Sequence, residues 1–459
     1  MNKRLVFTLI GLIISVYAFA QVVDSTSTNY YGKKKPDVEP NLVAAPISDK
    51  EIAKNDIIKK GISLGPLPIV AYDQDRGFEY GALLNVYNFG DGSWYPTPLS
   101  TWYFEVSRYT KGTQQYIVSY DNRVLIPGAR LSASAEVIND SALDFYGFNG
   151  YESFYDKDMP TYFYRMKRLV PSFKVDLTGN IRKNLYWKAG YHFKYFKTEE
   201  FVPEDVDGAL TLFQLYKKWG IIPDGEKNGG FSSAIRLGLM YDTRNFEAAP
   251  SRGIWAEGHV AFAPKFLGTT QGYTKYNLTF RHYLPLAKDR LVFAYRINFQ
   301  GYIGSAPAFY ILPYDTIMGP GYDRDGFGGY RTVRGMLRSR IQGINTGYFN
   351  TELRWKFIDF HVLKQNVTLA LSGFFDGGRV FKGVNLTLDS EHSNIYPSQY
   401  AKYINTGKDK LNDKFHLSAG GGLRVIINQN FIIAFEYGKA FAAQDNNKGA
   451  LYINTGYLF

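Results

Sequence analysis

Residues 346–358 read Thr346-Gly347-Tyr348-Phe349-Asn350-Thr351-Glu352-Leu353-Arg354-Trp355-Lys356-Phe357-Ile358. Tyr348, Asn350, Glu352, Arg354 and Lys356 fall on one face, while Phe349, Leu353, Trp355 and Phe357 fall on the other. A period of two is that of a β-strand whose two faces meet different surroundings. In a soluble sheet the apolar face would be the core; in a membrane barrel it faces lipid and the polar face lines a wet lumen. Residues 366–376 repeat the pattern, with Val367, Leu369, Leu371 and Phe375 opposing Asn366, Thr368, Ser372 and Asp376.

Outward from these strands the same period runs from about residue 64 to the end. It predicts strands at 64–73, 77–89, 98–109, 114–125, 128–139, 162–177, 184–197, 231–243, 253–265, 271–285, 289–302, 346–358, 366–379, 413–427, 430–440 and 450–459. That is about sixteen, an even number, as bacterial single-chain barrels have. The long connections, 140–161, 198–230, 303–345 and 380–412, all follow odd-numbered strands. Short turns on one side and long loops on the other are the pattern of an outer-membrane barrel, and a miscount by one would scramble that parity. The expected fold class is therefore all-β, an antiparallel transmembrane β-barrel of about sixteen strands over residues 61–459.

Composition agrees. The chain has 459 residues with 37 Tyr, 34 Phe and 45 Gly, and a membrane barrel uses such rings in two interfacial girdles. The net charge of +11 is scattered along the strands, whereas nucleic-acid binding needs a clustered basic patch; no nucleic acid is expected. Lys3 and Arg4, an apolar run from Leu5 to Val16 and Ala18-Phe19-Ala20 predict a cleaved signal peptide over residues 1–20. Residues 21–60 read as a periplasmic tail with one short helix, because Ser48 and Glu51 form a capping-box pattern. The chain has no cysteine, which excludes an acylated lipoprotein and thiolate metal sites. None of the six histidines, at 192, 259, 282, 361, 392 and 416, lies beside a residue that announces a nucleophile or base. Neither an enzyme, a metal nor a cofactor is expected.

The connection between the eleventh and twelfth strands stands apart. It carries Gly319-Pro320-Gly321-Tyr322 and then Gly326-Phe327-Gly328-Gly329-Tyr330-Arg331-Thr332-Val333-Arg334-Gly335-Met336. So many glycines imply a tightly folded backbone. Val333-Arg334-Gly335 resembles the Val-Arg-Gly-Phe/Tyr motif in the sixth external loop of BamA/TamA-type assembly barrels, the bacterial surface antigen family. Gly373-Phe374-Phe375-Asp376-Gly377-Gly378 resembles that family's strand thirteen, and Tyr348 to Trp355 its strand twelve, with Glu352 in the acidic position. Tyr241-Asp242-Thr243-Arg244-Asn245 with Pro250-Ser251-Arg252-Gly253 resembles its turn before strand nine, and Gly420-Gly421-Gly422-Leu423-Arg424-Val425 its strand fourteen. The end of the chain, with Leu451, Ile453, Thr455, Tyr457 and Phe459 on one face, resembles the terminal strand signal of outer-membrane proteins. That signal's usual glycine would sit at Asn454, and the actual one is Gly456.

The resemblance implies a lumen-folded sixth external loop whose Arg334 pairs with Glu352 and Asp376. The alternation independently puts both acids on the lumen face, and a buried guanidinium needs such partners. Met336 stands where the family has an aromatic. Family members carry POTRA domains ahead of the barrel, whereas residues 21–60 are too few for one, so a short member lacking POTRA domains is expected. The implied function is assistance of polypeptide insertion or transport at the bacterial outer membrane, with a gated diffusion pore as the alternative. Implied partners are outer-membrane lipids, client outer-membrane polypeptides and separate periplasmic proteins; homo-oligomers through lipid-facing strands are compatible with the pattern. Pro66 and Pro68, two apart at the start of the first strand, would leave two donors missing on one side. With Phe459 on the last strand they mark a candidate weak seam, unless pairing begins only after Pro68.

Overall fold

The computed structural model describes residues 59–94, 97–204, 206, 208–247, 249–287, 290–304, 306–318, 323–362, 365–388, 402–404, 413–427, 431–446 and 448–459. The expected signal peptide and tail, with the Ser48–Glu51 helix, fall on residues 1–58, outside the described ones.

Sixteen antiparallel strands close into one barrel. They are β1 (Ile62–Asp73), β2 (Gly77–Asn88), β3 (Ser100–Tyr109), β4 (Thr113–Ile126), β5 (Ala129–Asp144), β6 (Arg165–Arg182), β7 (Leu185–Glu200), β8 (Gly229–Asp242), β9 (Gly253–Ala263), β10 (Tyr273–Ala287) and β11 (Leu291–Ile303). After a separate two-stranded sheet, β12 (Tyr314–Thr316) with β13 (Asp323–Asp325), the wall resumes. It continues with β14 (Asn345–Val362), β15 (Gln365–Lys382), β16 (His416–Ile427), β17 (Phe431–Ala440) and β18 (Ala450–Thr455). The alternation explains the wall. Leu353 and Trp355 of β14 are exposed and alternate with buried Glu352 and Arg354, and on β15 exposed Leu371 and Phe375 alternate with buried Ser372 and Asp376. An apolar outer face and a polar inner one are what a barrel in lipid requires.

Two expectations change in detail. The β14–β15 ladder shifts register between Lys356 and Ile358. One extra residue reverses the phase of a strand, so Ile358 and Phe360 point outward and Phe357, expected there, is half-buried. The last strand also stops at Thr455, not at 459. Gly456 adopts φ +86°, a conformation costly for residues with a Cβ, and the chain leaves the ladder there. Leu458 and Phe459 are buried against Tyr283, Val292 and Ala294, and Arg354 donates to the Phe459 carbonyl at 3.0 Å. Phe459 thus lies neither on the lipid face nor at the seam.

The long connections form a roof over one end. Helix α1 (Leu212–Lys218) starts at Thr211, whose side chain and that of Gln214 cap each other's backbone N–H groups. Its Phe213 and Tyr216 pack edge-on against Phe145, at 5.6 and 5.4 Å between ring centroids. Phe145, Tyr146 and Phe148 belong to the buried core of this roof, together with Phe309, Ile311 and Tyr403. A polar clamp joins its loops. His416 stacks on Tyr151 at 3.8 Å, with Nδ1 2.7 Å from Asp445 and Nε2 3.1 Å from Asp413. Only an imidazolium can donate to two carboxylates at once. Arg340 donates to the carbonyls of Gly150, Ser153 and Gln444 at 2.8, 2.8 and 3.0 Å.

Burial would raise the Asp445 pKa, but the His416 hydrogen bond and charge, with Arg340, hold it below the ordinary value. A depressed carboxyl contributes stability above its unfolded pKa of about 3.9 and loses it as pH falls through the folded value. Loops 145–164 and 441–449 should therefore stay protected from an acid protease at pH 5 and become cleavable only below about pH 4. His416→Phe, which keeps the ring but not the donors, should be cleaved across the whole pH series.

Candidate functional site

Glu352 of β14, Asp376 of β15 and Glu436 of β17 share the inner face, opposite exposed Leu353, Phe375 and Tyr437. Arg334, from the β13–β14 connection, is fully buried among them. Its Nε and Nη2 donate to the two Asp376 oxygens at 2.8 and 3.0 Å, a bidentate fork that a planar guanidinium matches and an ammonium cannot. Nη1 donates to Glu352, and to Glu436 at 2.8 Å. The guanidinium lies 3.6 Å from the Phe374 ring centroid. Burial alone would lower the Arg334 pKa; Asp376, Glu352 and Glu436 outweigh it and raise it well above the ordinary value.

Two more arginines complete the node. Arg354 donates to Glu352 at 2.6 Å, and Arg424 donates to Glu436 at 2.7 Å. Three guanidinium groups thus face three carboxylates, with no side chain more than 4% exposed. Such a set is tolerable only when complete, because a buried charge stripped of its partner costs about 3–5 kcal/mol.

Backbone contact finishes the anchor. Gly335 has φ +84°, and a Cβ on it would lie 2.6 Å from the Gly438 carbonyl carbon and the Lys439 nitrogen of β17. Its N–H donates to the Tyr452 hydroxyl of β18 at 3.0 Å. Val333 and Met336 are buried with Phe327, Ile341, Tyr348, Val380 and Ala440; at position 336 the thioether serves as apolar filling. The sequence pointed to Arg334, Glu352 and Asp376, which the fold brings together, but not to Glu436, Arg354, Arg424, Phe374 or Tyr452. Glu436 did leave a signal, as the one carboxylate in the inward series Ile432, Ala434, Glu436, Gly438.

The seam is the other unusual feature. All twelve residues of β1 pair with β2, from Ile62↔Asn88 to Asp73↔Gly77. On the other side β1 meets β18 through two pairs, Tyr72↔Ile453 and Asp73↔Tyr452. Pro66 and Pro68 lie within the strand, opposite Leu84 and Ala82.

Comparison with known proteins agrees with this geometry. A family model described as the Omp85 superfamily domain matches residues 104–459. The chain belongs to the Omp85 superfamily. Among solved structures, this Omp85 barrel is similar to BamA from Haemophilus ducreyi lacking POTRA domains 1–3. The identity is 16% over 91% of this chain and 76% of that one, with a TM-score of 0.54. It is also similar to CdiB from Escherichia coli, at 12% identity over 87% of this chain and 63% of that one, with a TM-score of 0.54. This chain therefore spans less than two thirds of that CdiB. No curated protein matches the sequence. Family and barrel together place the protein in the bacterial outer membrane.

Arg334→Ala would leave three buried carboxylates facing two guanidinium groups. It should cost roughly 3–5 kcal/mol, seen as a lower temperature for loss of the folded band in heat-modifiability gels and as new protease cleavage within residues 326–344. Arg334→Lys should recover little, since it restores charge but not the fork. Gly335→Ala should expose the same loop without altering the charges.

Proposed function

We propose that this Omp85 barrel takes up an outer-membrane polypeptide along the free edge of β1 and releases it sideways into the membrane. The observation that carries the proposal is the two-pair seam. Among the described residues, 62–71 of β1 pair with β2 alone, so the strand presents toward β18 the backbone groups that β2 does not use, with carbonyls but no N–H at Pro66 and Pro68. An open edge is a template for adding a strand. Each ladder hydrogen bond is worth about 1 kcal/mol net, so parting two residue pairs costs far less than parting the twelve between β1 and β2.

The rest of the wall supports sideways release. The apolar roof covers the end that bears the long loops, and the loop carrying Arg334 acts as a lumen plug, tied to β14, β15 and β17. A polypeptide then has the lateral exit, and lipid receives its apolar face directly. Delivery to the seam would fall to separate periplasmic partner proteins.

Tyr72→Cys with Ile453→Cys tests this in a chain that has no other cysteine. The oxidised protein in lipid vesicles should lose the ability to speed membrane integration of a urea-unfolded outer-membrane barrel, and reductant should restore it. Equal rates with the seam locked and unlocked would defeat the proposal. A large steady conductance that ignores the crosslink would favour a diffusion pore instead.

A further inference from the structure

The β8–β9 connection, residues 243–252, is ten residues long at the end of the barrel where β4–β5 and β6–β7 are joined by two. Turns at a barrel rim are ordinarily solvated, yet Arg244, Asn245, Ala249 and Ser251 of this one are buried. Its base is braced. Arg244 forks onto Asp242 at 3.0 and 2.7 Å, and the Asn245 side-chain Oδ1 accepts from the Ser251 and Arg252 backbone N–H groups at 3.0 and 3.2 Å.

Beyond this base the turn touches two distant parts of the wall. Glu247 accepts from Arg123 of β4 at 3.1 Å and from Arg130 of β5 at 3.3 Å. Two residues later, Ala249 packs with Ala370 of β15, Ile426 of β16 and Ile432 of β17. In the closed strand order, β5 lies three strands from β8 on one side, and β15 lies four strands from β9 on the other. A turn confined to the rim meets only its neighbours, since each strand adds about 4.8 Å of wall. One that touches both of these regions crosses the mouth.

We propose that the β8–β9 turn is a latch across the inner mouth of the barrel, fastened by Glu247 to Arg123 and Arg130 and seated through Ala249 on β15–β17. When Glu247 leaves its arginines, the lumen opens to that side. The fastening is only partly shielded, since Arg123 and Arg130 are 7% and 22% exposed. The Glu247 side chain is 46% exposed, so water reaches this pair and screens it, whereas none reaches the fully buried Arg334 node. The seat is a single methyl group in a cluster with one alanine and two isoleucines. Tyr457, two residues past β18, packs on the same cluster, so the latch and the seam strand share a contact.

The native chain has no cysteine, so one introduced thiol reports access. Thr279→Cys places it on the inner face of β10, at a position 3% exposed. The readout is the rate of labelling by a bulky, membrane-impermeant maleimide, with no client present, so that the outcome is independent of strand insertion. Glu247→Arg, which sets a third guanidinium against Arg123 and Arg130, should label at least tenfold faster than its parent, with Glu247→Gln intermediate. Heat-modifiable migration checks that each variant is folded. Ala249→Cys with Ala370→Cys, oxidised before labelling in the Glu247→Arg background, should return the rate to the parental one. Folded Glu247 variants that label at the parental rate would overturn the latch. So would a disulfide that forms and leaves the fast rate unchanged.

Discussion

A guanidinium with no access to water, shared among Asp376, Glu352 and Glu436, is the constraint on which the rest of this barrel depends. It binds one external connection to three strands of the wall. The stretch that carries it continues through Arg340 into the roof, where that side chain collects carbonyls from the 145–164 and 441–449 loops. The interior node and the outer cap are thus one connected body. Its charges balance because Arg354 and Arg424 join Arg334, and that balance makes burial tolerable at all. Any weakening of one member is felt by the others, since a half-satisfied ionic network is worse than none.

The opposite part of the wall is built differently. β1 is held by its full length to β2 and by two residue pairs to β18, while the chain beyond β18 turns inward and gives its last aromatic rings to Arg354, Arg424 and Tyr283. The shortened strand therefore leaves its neighbour's edge open and at the same time braces the node from within. A rigid sector beside a short seam fits the sideways release proposed above. The β8–β9 turn adds a weaker closure at the inner end, so that the interior is covered on both sides.

Local features were legible in the sequence, because they are decided within a few residues. Strand number, the parity of long and short connections, and the outward placement of Leu353, Trp355, Leu371 and Phe375 all follow from a period of two. Family motifs drew attention to Arg334, Glu352 and Asp376, whose side chains the fold brings into contact.

Tertiary structure decided whatever depends on the barrel being closed. Glu436 lies 102 residues from Arg334, and no spacing rule relates two side chains that meet only because β17 and β14 are wrapped around one lumen. The aromatic run at 145–148 shows apolar character in sequence but not what covers it; it became core once four loops converged. A bulge at Lys356 reversed the phase of β14, and a positive φ at Gly456 ended β18 early, each a backbone adjustment imposed by neighbours. Alternation, then, determined which face of each strand meets lipid, because that follows from backbone geometry alone. Which inward residues meet across the lumen was settled by closure, because only closure sets the distances between them.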